Sequence, residues 1–181
     1  MKKKIVFCDA DGTLWYPHAT KRTRHPVWLY LDEQLRHNYL EHMCLTPQAV
    51  ETLMSLRHHG IITVILSTHP HEPEEAARRL NEKAKYFGLH ELFDKVHATA
   101  EYIEAKGEKI LEILQQNNLK KEDALMVGDS YTWDYYPAQN VGVEAILINS
   151  DYHQENRENE PVKNLVNDLD ELLPLLNIPS I

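Results

Sequence analysis

Apolar runs of strand length alternate with helical patterns along this chain. Continuous or nearly continuous apolar stretches, rich in β-branched residues, predict strands. They lie at 5–9, 61–66, 95–98, 124–127 and 145–148. Apolar residues that recur at three- and four-residue spacing predict the intervening helices. These cover 47–59, 72–87, 107–117, a short turn after 127, and an amphipathic tail at 164–176.

This alternation predicts the fold class. Strands that are apolar throughout, each followed by a helix, are typical of a parallel sheet covered on both faces. We therefore expect an α/β, three-layer Rossmann-like domain spanning 1–181. One stretch departs from the rhythm: residues 16–45 fit no simple crossover and predict a small insertion after the first strand, with an aromatic-rich helix at 27–42.

Length, charge and cysteine content restrict the class of protein. A chain of 181 residues is long enough for one domain with a real core. It has no apolar run near the ~20 residues of a membrane helix, and no signal-peptide pattern, so we expect a cytoplasmic protein without membrane contact. Cys8 and Cys44 form neither a disulfide framework nor a zinc pattern. The net charge of −9 disfavours nucleic acid as a partner.

Acidic and hydroxyl side chains follow three of the predicted strands. The carboxyl ends of parallel strands meet at the edge where such sheets bind ligands. The residues at this edge are Asp9, Asp11, Ser67, Thr68, Asp129 and, one helical turn later, Asp134. Carboxylates that lie so close repel one another unless a cation neutralises them. Oxygen ligands and few carboxylates favour Mg²⁺.

Four ordered motifs resemble those of the haloacid dehalogenase superfamily of phosphohydrolases, and most closely its small capless magnesium-dependent phosphatases. The motifs are "DADGT" at 9–13, Ser67 after an apolar strand, Lys106 in "AKGEK", and "GDSYTWD" at 128–134. The resemblance implies that Asp9 is the nucleophile and Asp11 the general acid and base. It also implies that Ser67 and Lys106 bind the phosphoryl oxygens, with Thr68 making a backbone contact. Mg²⁺ is then held by Asp9, the Asp11 backbone carbonyl, Asp129 and Asp134.

Elementary chemistry is consistent with these roles. A carboxylate is a competent nucleophile towards phosphorus, and a cation and a lysine offset the repulsion between the two anions. An acid that donates a proton at neutral pH needs a raised pKa, which we expect for Asp11. Three alternatives remain: the aspartates could cap backbone amides, Lys109 could replace Lys106, and Thr68 could replace Ser67.

The sequence thus predicts Mg²⁺-dependent hydrolysis of phosphomonoesters through an aspartyl-phosphate, on a phosphorylated small molecule or a phosphoprotein. A phosphoryl-transferring mutase, a receiver-like domain and a non-catalytic phosphate-binding module are the alternatives. A second copy of the chain could supply a cover for the site. His69 and His71 are expected at the same edge, as solvated loop residues or as ligands. The basic stretch from Lys21 to Arg24 is either a solvated loop or a grip for an anionic substrate.

Overall fold

The computed structural model describes residues 3–154 and 162–179. Eight strands and seven α-helices are present in these ranges. The strands are β1 (Ile5–Cys8), β2 (Trp15–Pro17), β3 (Met43–Leu45), β4 (Ile62–Thr68), β5 (Lys95–Thr99), β6 (Ala124–Gly128), β7 (Glu144–Ile148) and β8 (Leu165–Val166). The helices are α1 (Val27–Leu31), α2 (Ala49–His58), α3 (Pro73–Tyr86), α4 (Ala105–Gln116), α5 (Tyr136–Asn140), α6 (Asp151–Gln154) and α7 (Leu172–Leu175).

Six strands form one sheet in the order β5-β4-β1-β6-β7-β8, and every neighbouring pair is parallel. Side chains alternate across β1, so that Val6 and Cys8 belong to one apolar cluster while Ile5 and Phe7 belong to the other. Helices α2, α3 and α7 cover the first face, and α4 and α5 cover the second. The predicted three-layer α/β fold is confirmed.

Two helices are shorter than the sequence pattern predicts. In the stretch 27–42 only α1 is α-helical, and Tyr39–His42 form a 3₁₀ helix. The Asp32 carboxylate accepts hydrogen bonds from the backbone N–H groups of Gln34 (2.8 Å) and Leu35 (3.2 Å) and turns the chain after α1. The tail 164–176 is helical only from Leu169 to Leu175, because it begins with β8, whose Val166 lies opposite Ile148. Backbone pairing at the edge of the sheet outweighs the helical spacing of the leucines there.

The chain leaves β1 through the small antiparallel pair β2 and β3, in which Trp15 lies opposite Leu45. This pair carries residues 18–42, including α1, at the end of the sheet where β1 stops. None of the helices in 3–154 and 162–179 is both long and apolar enough to cross a membrane.

Candidate active site

The carboxyl ends of three central strands open into a cavity of about 580 Å³. Asp9 continues the line of β1, since its backbone N–H donates to the Val127 carbonyl at 2.8 Å. Ser67 and Thr68 are the last residues of β4, and Asp129 follows the last residue of β6. All seven residues predicted for the site line this cavity: Asp9, Asp11, Ser67, Thr68, Lys106, Asp129 and Asp134. The structure brings the predicted set together, and the chemical role of each remains a prediction.

Lys106 lies in the first turn of α4 and is fully buried. Its Nζ is 2.8 Å from Asp9 Oδ1 and also donates to Asp134. Burial lowers the pKa of this ammonium, but the charges of Asp134 and Asp9 outweigh burial and the pKa is raised. Lys109, the alternative, pairs with Glu112 at 2.8 Å towards the surface. Geometry therefore favours Lys106 as the lysine of the site.

Asp9, Asp129 and Asp134 form a compact acidic cluster. Each offers a carboxylate oxygen, and these oxygens lie within 4.8 Å of one another. Burial, followed by the charge of Asp9, raises the pKa of both Asp129 and Asp134. Buried carboxylates at this spacing are the donor set that a small hard divalent cation takes. The residues present therefore fit a magnesium ion.

Charge balance across the cavity leads to the same conclusion. Two buried lysines, Lys83 and Lys106, contact three of the four aspartates. With Glu101 and Arg79, which also line the cavity, five carboxylates and three cations leave two negative charges when all are ionised. One divalent cation would balance them.

Neighbouring groups fix the orientation of the acidic side chains. Thr13 Oγ1 donates to Asp129 Oδ1 at 3.2 Å, and the Tyr152 hydroxyl donates to Asp129 Oδ2. The Ser130 backbone N–H donates to Asp134 Oδ2 at 2.9 Å. A Cβ at Gly12, which has φ +87°, would lie 2.1 Å from Asp129 Oδ2. The glycine of the first motif is thus required both for its backbone conformation and for space.

The Asp11 side chain lies apart from the acidic cluster. Its Oδ1 accepts from Trp15 Nε1 at 2.5 Å, its Oδ2 accepts from the Tyr30 hydroxyl at 2.7 Å, and Lys83 Nζ lies 3.2 Å from Oδ1. Burial raises the pKa of Asp11, but the charge of Lys83 and the hydrogen bonds from Tyr30 and Trp15 together lower it by more. The net shift of the pKa is therefore downward. The expected raised pKa is therefore wrong for this arrangement, because Lys83 adds a cation that the motifs do not include. The Asp11 carboxylate is also not part of the acidic cluster, which leaves only its backbone carbonyl for the predicted metal contact.

The sequence left open the roles of the two histidines after β4 and of the basic stretch from Lys21 to Arg24, and the structure places the two groups in different surroundings. His69 and His71 line the cavity, and the pKa of His69 is lowered to about 4 by burial and by nearby Lys83, so its imidazole is neutral at pH 7. In the basic stretch, Arg22 pairs with Asp168 at 2.6 Å and Arg24 lies over the Trp28 ring. Protein groups therefore engage both arginines, which weakens the hypothesis that they grip a substrate.

Sequence reasoning missed three residues that touch the site: Lys83, Tyr30 as a partner of Asp11, and Tyr152. A signal for Lys83 was present, because it lies on the face of α3 that buries Ala76, Leu80 and Ala84. A lysine on the apolar face of an amphipathic helix needs a partner inside the protein. Tyr152 carries no comparable signal, since it follows the fourth motif by eighteen residues in a short polar segment.

The acidic cluster predicts how stability depends on pH without metal. Because the folded-state pKa values of Asp129 and Asp134 lie above those of the unfolded chain, the folded protein holds more protons between the two. The free energy of unfolding should therefore fall as pH rises through that window, roughly pH 4 to 7. Thermal unfolding in EDTA should show this fall, and Mg²⁺ should raise the melting temperature more at pH 7.5 than at pH 5. An equal effect of Mg²⁺ at both pH values would contradict the placement of the metal among these carboxylates.

The fold and the acidic edge together define a Rossmann-like α/β protein with a candidate metal centre. A family model described as haloacid dehalogenase-like hydrolase matches residues 16–148. The match spans more than half of the chain, which therefore belongs to this family. The resemblance identified from the motifs is confirmed.

The chain is also similar to named relatives and to solved structures. The pyrophosphatase PpaX of Bacillus thuringiensis (strain Al Hakam) is 24% identical, with 82% of this chain and 84% of the relative covered. A HAD phosphatase from Thermococcus onnurineus has a TM-score of 0.67 at 21% identity, with 100% of both chains covered. A haloacid dehalogenase-like hydrolase from Streptococcus pneumoniae has a TM-score of 0.65 at 19% identity, with 96% of this chain and 98% of the other covered. At these identities the structures establish the fold.

Proposed function

We propose that this protein is a Mg²⁺-dependent phosphomonoester phosphatase that works through an aspartyl-phosphate on Asp9. The observation that carries the proposal is the position of the Asp9 carboxylate, at the end of the central strand, beside buried Lys106 and the acidic pair Asp129 and Asp134. Family membership and a relative named as a pyrophosphatase support phosphoryl chemistry. The cavity volume leaves room for the rest of a small organic phosphate.

In the first half of the reaction, an Asp9 oxygen attacks phosphorus and the bond from phosphorus to the leaving oxygen breaks. The leaving oxygen takes a proton from Asp11 and departs as an alcohol. Lys106 holds one Asp9 oxygen at 2.8 Å, which restricts the rotation of the nucleophile and places positive charge beside it. Ser67, at the end of β4, would donate to a phosphoryl oxygen, and Thr68 would make a contact through its backbone.

In the second half, water attacks phosphorus and gives its proton to the Asp11 carboxylate, which releases phosphate and restores Asp9. With Lys83 beside it, the pKa of Asp11 is lowered, so its carboxylate is ionised and can accept this proton. A phosphoryl group in the cavity adds negative charge near Asp11 and competes for the Lys83 ammonium. Both effects raise the pKa of Asp11, so that it holds a proton when the leaving oxygen of the substrate needs one.

The carboxylates of Asp9, Asp129 and Asp134 would hold the magnesium ion, with the Asp11 backbone carbonyl as a further oxygen. When bound, such an ion offsets the negative charge of the phosphoryl group and of the attacking carboxylate. Thr13 and Tyr152 keep Asp129 turned towards the cluster.

Release of phosphate from p-nitrophenyl phosphate tests the proposal. We expect turnover with Mg²⁺, none after exhaustive chelation with EDTA, and poor replacement by Ca²⁺, because Ca²⁺ takes more ligands at longer distances. Inorganic pyrophosphate belongs in the same assay, since a relative carries the name of a pyrophosphatase. Full activity after chelation would contradict the metal requirement, and no phosphate release from a broad panel of phosphate esters would contradict the function.

A further inference from the structure

The Asp11 carboxylate is held by side chains that lie outside the four motifs. Tyr30 belongs to α1, in the segment between β2 and β3, and Lys83 belongs to α3. The Tyr30 hydroxyl donates to Asp11 Oδ2 at 2.7 Å, and Lys83 Nζ in turn donates to the Tyr30 oxygen at the same distance. Lys83 Nζ also lies 3.2 Å from Oδ1 and 3.4 Å from Oδ2 of Asp11. The three side chains form a closed triangle of contacts.

The surroundings show that this triangle is built into the protein. Lys83 is only 3% exposed, although lysine is rarely buried without a partner. Its Nζ lies 4.5 Å from the centre of the Tyr30 ring and 5.4 Å from that of Tyr39, so that two aromatic faces contact the ammonium. Trp15 Nε1 completes the set of donors on Asp11.

These contacts reach both oxygens of the carboxylate. Trp15 donates to Oδ1 and Tyr30 donates to Oδ2, while the Lys83 ammonium lies at the longer distances of 3.2 Å and 3.4 Å from the two oxygens. Donors on both oxygens from three directions fix the rotation about the Cβ–Cγ bond. A group that passes protons to and from a reacting oxygen depends on such orientation.

We propose that Tyr30 and Lys83 are positioning residues that hold Asp11 for proton transfer to the leaving oxygen. The inference rests on the proposed phosphatase function. It assigns a catalytic contribution to the segment between β2 and β3, whose Tyr30 reaches the site, and to α3, which carries no motif of the family resemblance.

Leaving-group dependence tests this proposal. p-Nitrophenolate leaves phosphorus without a proton, whereas benzyl alcohol needs one, and the two phosphate esters are similar in size. The ratio of kcat/KM for benzyl phosphate to that for p-nitrophenyl phosphate therefore reports proton transfer. We expect Tyr30→Phe to lower this ratio at least ~5-fold and Lys83→Met at least ~10-fold, within the ~10²–10⁴-fold contribution typical of acid catalysis. Each variant is compared at its own pH optimum, so that an altered Asp11 pKa does not mask the loss of orientation.

The design separates a positioning role from a structural one. The ratio does not depend on the fraction of active protein, so a partly unfolded variant still reports it. Tyr86→Phe and Lys85→Met are matched controls, because both residues are exposed on α3, and neither should move the ratio. Tyr30→Phe removes one hydroxyl group and keeps the test decisive if Lys83→Met fails to fold. An active wild-type protein with a ratio unchanged within twofold in every variant that folds overturns the proposal. A wild-type protein inactive on both esters overturns the proposed function and this inference with it.

Discussion

We expect Asp9→Asn to abolish phosphate release while the protein stays folded. The amide keeps the shape of the side chain and can still accept a hydrogen bond from Lys106, but it is a far poorer nucleophile. Loss of the nucleophile should lower kcat with p-nitrophenyl phosphate by at least ~10³-fold, as in other enzymes with a covalent intermediate.

For the same variant we expect no loss of stability, in contrast to the loss of activity. The charge of Asp9 raises the pKa of Asp129 and Asp134, which means that the three carboxylates repel one another. Removal of one charge relieves this repulsion, so the metal-free variant should melt no lower than the wild type at pH 7.5. Asp170→Asn, at an exposed position, is the control and should change neither property. Turnover of the Asp9→Asn protein within tenfold of the wild type would exclude Asp9 as the nucleophile.

Lys106→Met should cause the largest loss of stability among single changes in the site. The ammonium lies between Asp9 and Asp134, and both the lysine and Asp134 are 1% exposed. Its removal leaves buried carboxylates without their cation, which typically costs about 3–5 kcal/mol. Urea unfolding in EDTA measures this free energy directly, and Mg²⁺ should recover part of it.

Lys109→Met is the matched control for Lys106→Met. It removes the same side chain from the same helix, but Lys109 pairs with Glu112 near the surface, where an ion pair contributes about 0–1 kcal/mol. If both variants unfold at the same urea concentration, the charge network around Lys106 does not stabilise the fold.

The edge of the sheet that carries Asp9, Ser67 and Asp129 was predictable from sequence because these residues follow strands directly. A strand end fixes where the next side chain goes, so Asp9, Ser67 and Asp129 could be assigned to one edge once the strands were recognised. Lys106 needed a further step, since α4 begins at Ala105 and the lysine reaches the site from a helix.

The partners of Asp11 were not predictable in the same way. Lys83 is 72 residues from Asp11 along the chain, and no spacing rule relates a position on α3 to the end of β1. Tyr30 depends on the path of residues 18–42, where Asp32 ends α1 early. The tail was predicted as a helix throughout because leucine spacing does not show that a strand there can pair with the outer edge of β7. In the structure β8 forms that pairing. The local sequence pattern identifies helices and strands, whereas the partners of Asp11 and the start of the tail are determined by tertiary contacts.

The pairing of Arg22 with Asp168 joins positions 146 residues apart in the sequence. Beside it, the Asp151 backbone N–H donates to the Arg22 carbonyl at 2.9 Å, which anchors the helix that carries Tyr152. Together, the two contacts hold the segment between β2 and β3 against the short helix α6 and the tail. Because Tyr152 donates to Asp129, the orientation of that carboxylate depends on contacts made by a segment far outside the motif that contains it.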